Sequence, residues 1–318
     1  MKLDLIEIKP SNNKKKIIFI IISAILFIVL FSILGIKTAE TYNKKIIAKR
    51  IENIRQEKLN LQQEIEENEK NSEHIRQENI KNINNSEQTI ENMNVNQIPV
   101  YSENAKNKMS NIYNSDQKIA YLTFDDGPSQ TVTPQILDIL KRENIKATFF
   151  VLGRRVKANP EIVKREYKEG HYIANHGYSH EYSQIYKSID NIIQEYNKTE
   201  KAIQDAIGVK EYNSYLFRFP GGSNGGKYAK IKEKAKKELN NRNISFIDWN
   251  ALTSDAAGAN TKEKLLDNLK DTVQDKNSVV ILMHDASNKI LTYETLPDVI
   301  QYLREQGYSF NNFYSIMK

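Results

Sequence analysis

The chain has 318 residues, a formal net charge of +6 and no cysteine. Without cysteine there are no disulfides and no thiolate-held metals, so only His, Asp and Glu remain to ligate an ion. The charge divides as +3 over residues 1–16, −1 over 37–117 and +4 over 118–318, and no segment so divided is basic enough to mark a nucleic-acid surface.

Residues 1–16 end on Lys14, Lys15 and Lys16, and residues 17–36 follow as an almost wholly apolar run without a charge. At about 1.5 Å per residue the run is long enough to cross a hydrocarbon core of about 30 Å. It outlasts the roughly 7–15 residues of a signal-peptide core, and no clear small-x-small cleavage site follows Gly35, so it reads as a transmembrane anchor, with a cleaved signal peptide as the competing reading. The lysine cluster places the N-terminus inside and the rest of the chain outside, a single-pass protein of the cell membrane.

Residues 37–117 are rich in Glu, Lys, Asn and Gln. Ile47, Ile51, Ile54, Leu61 and Ile65 recur at helical spacing, interrupted at Lys58, which predicts a solvated helix over 44–65 whose seam admits coiled-coil self-association. Beyond it apolar residues thin out and Asn dominates, too little buried surface to offset chain entropy. The expectation is a helical, then flexible stalk that ends at 117.

From 118 onward apolar runs alternate with amphipathic helical patterns. Strands are expected at 118–124, 147–152, 171–174, 215–218, 244–247, 278–283 and 308–310, and helices at 134–142, 160–169, 188–207 and 296–305. The alternation predicts an α/β domain over 118–318, a distorted (β/α) barrel of about seven parallel strands. In such folds the loops at the carboxyl ends of strands carry the chemistry.

Polar clusters fall at those ends. Thr123-Phe124-Asp125-Asp126-Gly127-Pro128 puts two carboxylates in the first βα loop, one suited to ligate a metal and the other to accept a proton. Four of the 5 histidines lie in this domain. His176 and His180 follow the third strand four residues apart, a spacing that on a helical turn brings both imidazoles to one ion. Two imidazoles and one carboxylate with open positions describe a catalytic metal site. Arg218-Phe219-Pro220-Gly221-Gly222 supplies an arginine to pair with Asp125 and main-chain amides, Gly221 first, to face an oxyanion. His284 ends the sixth strand as a general acid, with Asp255 as its partner. His171 opens its strand at the opposite end and reads as structural.

These clusters, in this order, resemble the polysaccharide deacetylases of carbohydrate esterase family 4, which share the NodB homology domain. The resemblance covers about 118–318 and rests on five motifs. It implies that Asp125, first in T-F-D-D-G-P, is the catalytic base and that Asp126, His176 and His180 are the metal ligands. Arg218, Pro220 and Gly222 match R-x-P-x-G, with the Gly221 amide stabilising the oxyanion. Leu282 and His284 match L-x-H, Leu282 as a substrate-side residue and His284 as the general acid, and Asp255 matches the late-strand Asp. Four positions depart from the family pattern: Gly177 replaces a Ser or Thr that braces the ligand loop, Gly221 an aromatic, Leu252 an Asp and Ala256 a Trp.

The implied activity is metal-dependent hydrolysis of N-acetyl groups from an amino-sugar polymer, foremost peptidoglycan N-acetylglucosamine. O-acetyl ester hydrolysis and chitooligosaccharide deacetylation are alternatives on the same site, and a catalytically lapsed wall-binding module is the reading from another class. The expected cofactor is a divalent ion, Zn²⁺ first, with Co²⁺, Mn²⁺ and Ni²⁺ also suited to a His2Asp set. The expected partners are a cell-wall glycan and, through 17–36, the membrane.

Overall fold

The computed structural model describes residues 98–317 without a break, and before them the helical residues 19–25, 49–63, 65, 68, 70, 72, 73 and 75–77. Two compact units divide between Asn92 and Met93. In the first, Ile54, Leu61 and Ile65 are half-buried, on the seam expected from their spacing, and Ile51 is exposed. Of the expected anchor only 19–25 lies among the described residues, and the remainder of 17–36, with residues 1–16, lies outside them. No helix among the described residues is long and apolar enough to cross a membrane.

The second unit begins before the expected boundary at 118. Helix α1 (Glu103–Ser110) lies in the stretch assigned to flexible stalk, with the Ser102 hydroxyl accepting from the Ala105 amide at 3.1 Å as its N-cap. Ala105 and Met109 stand at i and i+4 on one face of α1, Ile112 follows in the turn just past its end, and all three are buried. The Val100 amide donates to the Met317 carbonyl, tying this segment to the chain's end. A composition rich in Asn hides a set of only three apolar residues, yet three are enough when a core receives them.

The strands are β1 (Ile119–Asp125), β2 (Thr148–Val151), β3 (Tyr172–Asn175), β4 (Leu216–Phe217), β5 (Ser245–Phe246), β6 (Ala251–Leu252), β7 (Ser278–His284) and β8 (Ser309–Phe310). Seven of them form a parallel ladder in the order β5-β4-β3-β2-β1-β7-β6. β2 pairs with Thr123–Asp125 of β1 and β8 with Ile119 and Ala120. β5 and β6 succeed one another in the chain but end the ladder on opposite sides, so the barrel is open between them. β6 was not foreseen, because two apolar residues between Asn250 and Thr253 carry no strand pattern.

Helices α2 (Thr133–Arg142), α3 (Gly153–Ala158), α4 (Pro160–Lys168), α5 (Tyr182–Ile185), α6 (Ile189–Ile207), α7 (Ala229–Asn241), α8 (Lys262–Val273) and α9 (Ile290–Glu305) connect the strands. α9 starts six residues before the expected 296, with Pro297 inside it. Alternation along the strands sorts side chains to two faces. Ala120, Leu122, Phe124, Val279, Ile281 and Met283 join Ile136, Leu140, Leu296 and Leu303 of the helices in the main core. Tyr121, Phe150, Tyr172, Leu216 and Val280 point the other way, onto Ala105, Met109 and Phe313. Both faces are therefore dry, as a parallel sheet requires. In register, Asp125 stands beside Phe150 of β2 and His284 of β7, which sets two of the chemically relevant side chains on one rim.

Candidate functional site

β1 delivers Asp125 buried at its last position, and Asp126 then takes a left-handed conformation with φ 75°, which a short polar side chain tolerates. The two carboxylates diverge as a result. Asp125 Oδ1 accepts from Arg218 Nη1 at 2.8 Å. Asp126 Oδ1 is buried and without a hydrogen-bond partner, 3.3 Å from His180 Nε2 and 3.6 Å from His176 Nε2.

His176 and His180 occupy a loop rather than the helical turn their spacing suggested. Gly177 at φ 81° and His180 at φ 58° break any helix, and the two left-handed residues bring the rings to a centroid distance of 5.4 Å. His176 Nδ1 lies 2.8 Å from the Arg218 carbonyl, which can only accept, so Nδ1 carries the proton and Nε2 presents its lone pair. Burial and the neighbouring His176 lower the pKa of His180, which favours the neutral ligand form. Burial alone would raise the pKa of Asp126, but His176, His180, His284 and Arg155 outweigh it and hold it below the usual carboxylate range. One ligand atom from each of Asp126, His176 and His180 lies within 4.8 Å of the others. An orphaned buried carboxylate oxygen facing two imidazole lone pairs fits a divalent cation.

The loop is braced without the hydroxyl missing at Gly177. Glu195 of α6 accepts from the Tyr178 and Ser179 amides, each at 2.7 Å, and Asn175 Oδ1 accepts from the Gly177 amide at 2.9 Å. Neither residue stood out in the sequence. The available signal was a glutamate on the apolar face of α6 beside Ile192, Tyr196 and Thr199, all buried.

Arg218 is fully buried. Besides Asp125 it donates to Thr123 Oγ1 at 2.7 Å and to the Ile247 and Asp248 carbonyls at 3.3 and 3.1 Å, and its guanidinium lies 3.9 Å above the Phe150 ring. Every orientation of the fork is thus fixed, and Asp125 Oδ2 is left as the oxygen without the arginine. Gly221 has φ 74°, and its amide makes no hydrogen bond among the described residues. Gly222 faces Trp249, whose ring an added Cβ would touch at 3.4 Å.

Across the rim His284 Nδ1 meets Asp255 Oδ1 at 2.8 Å. Asp255 Oδ2 accepts from the His284 amide and from Thr292 Oγ1, at 2.7 and 2.8 Å, so the carboxylate is locked from three sides. Burial opposes the imidazolium, but the hydrogen bond and charge of Asp255, with Asp125 and Asp126 beyond, raise the pKa of His284 above its ordinary value. Leu282 is buried opposite Thr123 and Leu252 in the ladder. His171, at the other end of β3, is buried and accepts from the Ala147 amide, a packing role.

Residues 112–242 match the polysaccharide deacetylase family model. A peptidoglycan-N-acetylglucosamine deacetylase of Bacillus cereus is 33% identical over 66% of this chain and 74% of its own length. A peptidoglycan-N-acetylglucosamine deacetylase of Listeria monocytogenes is 37% identical over 62% of this chain, a match that spans only 38% of the relative. Among solved structures, a CE4 esterase of Streptococcus mutans superposes with a TM-score of 0.59 at 32% identity, covering 67% of this chain and 92% of that one.

Proposed function

The chain belongs to the polysaccharide deacetylase family, and from that membership we propose that it hydrolyses N-acetyl groups of peptidoglycan N-acetylglucosamine outside the cell membrane. The observation that carries the reading is the pairing, on one rim, of a buried Asp125–Arg218 unit with the Asp126, His176 and His180 cluster, faced by His284 on the neighbouring strand.

Asp126, His176 and His180 would hold a divalent ion, Zn²⁺ first. Such an ion supplies Lewis acidity toward an amide carbonyl and lowers the pKa of water. The rest of the chemistry belongs to the chain. Asp125 Oδ2 takes a proton from the attacking water, since Oδ1 is committed to Arg218. The free Gly221 amide faces the developing oxyanion. His284 Nδ1 is held by Asp255, so Nε2 gives the proton to the departing amine nitrogen. Arg218 and Asp255 position the base and the acid.

Acetate release from purified, metal-loaded protein on peptidoglycan and on chitin oligomers tests the proposal, with mass analysis of digested wall fragments to identify the sugar. Release from glucosamine residues of peptidoglycan is expected. Bound metal with no acetate from any amino sugar removes the reading, and release from O-acetylated substrate alone replaces it with an esterase.

The apolar run at 17–36 after three lysines supports anchoring, with the catalytic unit outside. Protease added to intact cells is expected to remove the catalytic unit. Its protection there, with cleavage after lysis, would reverse the orientation.

A further inference from the structure

Gly221 carries no side chain, and the space one would use is already taken. A Cβ at Gly221 would stand 2.6 Å from the Tyr182 hydroxyl and 3.1 Å from its ring carbons. Tyr182 follows His180 by two residues, and its ring meets the His180 ring edge to face at 5.4 Å. One aromatic side chain therefore spans two parts of the site, touching a metal-ligand candidate at its base and the loop of the oxyanion amide at its tip.

Its placement is supported from behind. The Tyr186 ring lies 5.8 Å from that of Tyr182 and the Tyr228 ring 6.5 Å away, and the Tyr186 hydroxyl donates to the Pro220 carbonyl at 2.6 Å. The Tyr182 side chain nonetheless stays open to solvent, the residue being 38% exposed, and its hydroxyl has no hydrogen-bond partner among the described residues. Tyr186 by contrast is buried, with its hydroxyl satisfied. An exposed ring in a fixed place with an unspent O–H is what a saccharide needs, because a pyranose offers C–H surface to a ring and hydroxyls to a donor.

We propose that Tyr182 is a specificity-determining residue that binds the sugar ring bearing the acetamido group, its ring packing against the pyranose and its hydroxyl hydrogen-bonding a sugar oxygen. The inference rests on the deacetylase reading and deepens it. The Tyr182 hydroxyl stands where a side chain of Gly221 would, so a substrate whose acetyl oxygen meets the Gly221 amide comes close to the phenol. The contact forms on binding and involves no bond that breaks, so it belongs to substrate affinity rather than to the chemical step.

Three proteins decide it: wild type, Tyr182→Phe and Tyr182→Ala, each metal-loaded, assayed on chitin oligomers and on 4-nitrophenyl acetate, and titrated with chitin oligomers by calorimetry. For Tyr182→Ala the expected result is a KM for oligomers raised by about tenfold with kcat within about twofold, and kcat/KM for 4-nitrophenyl acetate within about twofold. Tyr182→Phe keeps the ring and loses the hydroxyl, and is expected to lie between. An oligomer KM and Kd within twofold of wild type in Tyr182→Ala overturns the inference. So does an equal loss on the sugar-free ester, which would assign the tyrosine to holding His180 or Gly221. Wild type that binds oligomers but releases no acetate overturns the deacetylase reading instead, and the calorimetric ratio still decides the role of Tyr182.

Discussion

In the proposed mechanism Arg218 is the single residue on which the proton-accepting side of the site depends. A fully buried guanidinium is tolerable only when its donors are matched, and here a carboxylate, a hydroxyl and two carbonyls receive them while Phe150 covers the face. Lysine cannot reproduce a planar fork that serves four acceptors at once. Arg218→Met would leave Asp125 buried without its counter-ion, and a loss of about 3–5 kcal/mol is expected in urea unfolding. A loss below about 1 kcal/mol would mean that the pair is not integral to the fold. Asp255 bears on the other proton of that mechanism. His284 must be protonated to serve as acid, and a raised pKa keeps it so to higher pH. Asp255→Asn removes the charge that raises it, so the alkaline limb of the kcat profile is expected to move to lower pH. An unmoved limb would detach that limb from His284.

The loop from Asn175 to His180 shows how an element is held by a neighbour far away in sequence. With Gly177 and His180 in left-handed conformations the chain leaves the ladder after His176, whose amide still donates to the Val151 carbonyl, and Glu195 satisfies the next two free amides, those of Tyr178 and Ser179, from α6. Groups that hold metal ligands in place usually matter about 10–100-fold to metal affinity. Glu195→Ala is accordingly expected to weaken metal binding by about that factor in chelator competition, while far-UV circular dichroism stays unchanged. Unchanged affinity would show that the other contacts, among them Asn175 on the Gly177 amide and the Arg218 carbonyl on His176 Nδ1, hold the ligands without Glu195. This element also marks the limit of what the sequence discloses. Asp125, Asp126, His176, His180, Arg218, Asp255 and His284 were legible because reactive residue types at strand ends are unusual. Glu195 was not, since a glutamate inside a helix ordinarily faces water and only packing reveals the apolar side it occupies. The helical turn inferred for His176 and His180 failed for a related reason, as spacing reports a period and not a backbone conformation. Likewise β6 has two residues and draws its order from β7, with Ala251 opposite Ile281, so no local pattern announces it.

At the scale of the whole molecule, an open parallel ladder must be covered on both faces, and helices connecting the strands cover only one of them. The second face is closed by the segments just outside the repeating pattern, α1 before β1 and Phe313 to Met317 after β8. Phe313 alone meets the rings of Tyr121, Phe150 and Tyr172 at 5.5, 6.1 and 6.1 Å. Ala105, Met109 and Ile112 join the same cluster, and the Val100 amide joins the Met317 carbonyl, so the two closing segments hold one another. A chain begun at 118, where composition places the boundary, therefore lacks half of that cover. Exposing one side of the cluster and losing two large buried side chains is worth about 3–6 kcal/mol on transfer energies. Residues 93–318 are expected to unfold cooperatively in urea and residues 118–318 with an unfolding free energy lowered by that amount, and so at a lower urea midpoint, with acetate release falling only as the folded fraction falls. Equal midpoints would show that α1 lies on a surface that is stable without it. A loss of activity at full folding would instead tie the segment to the site at the rim.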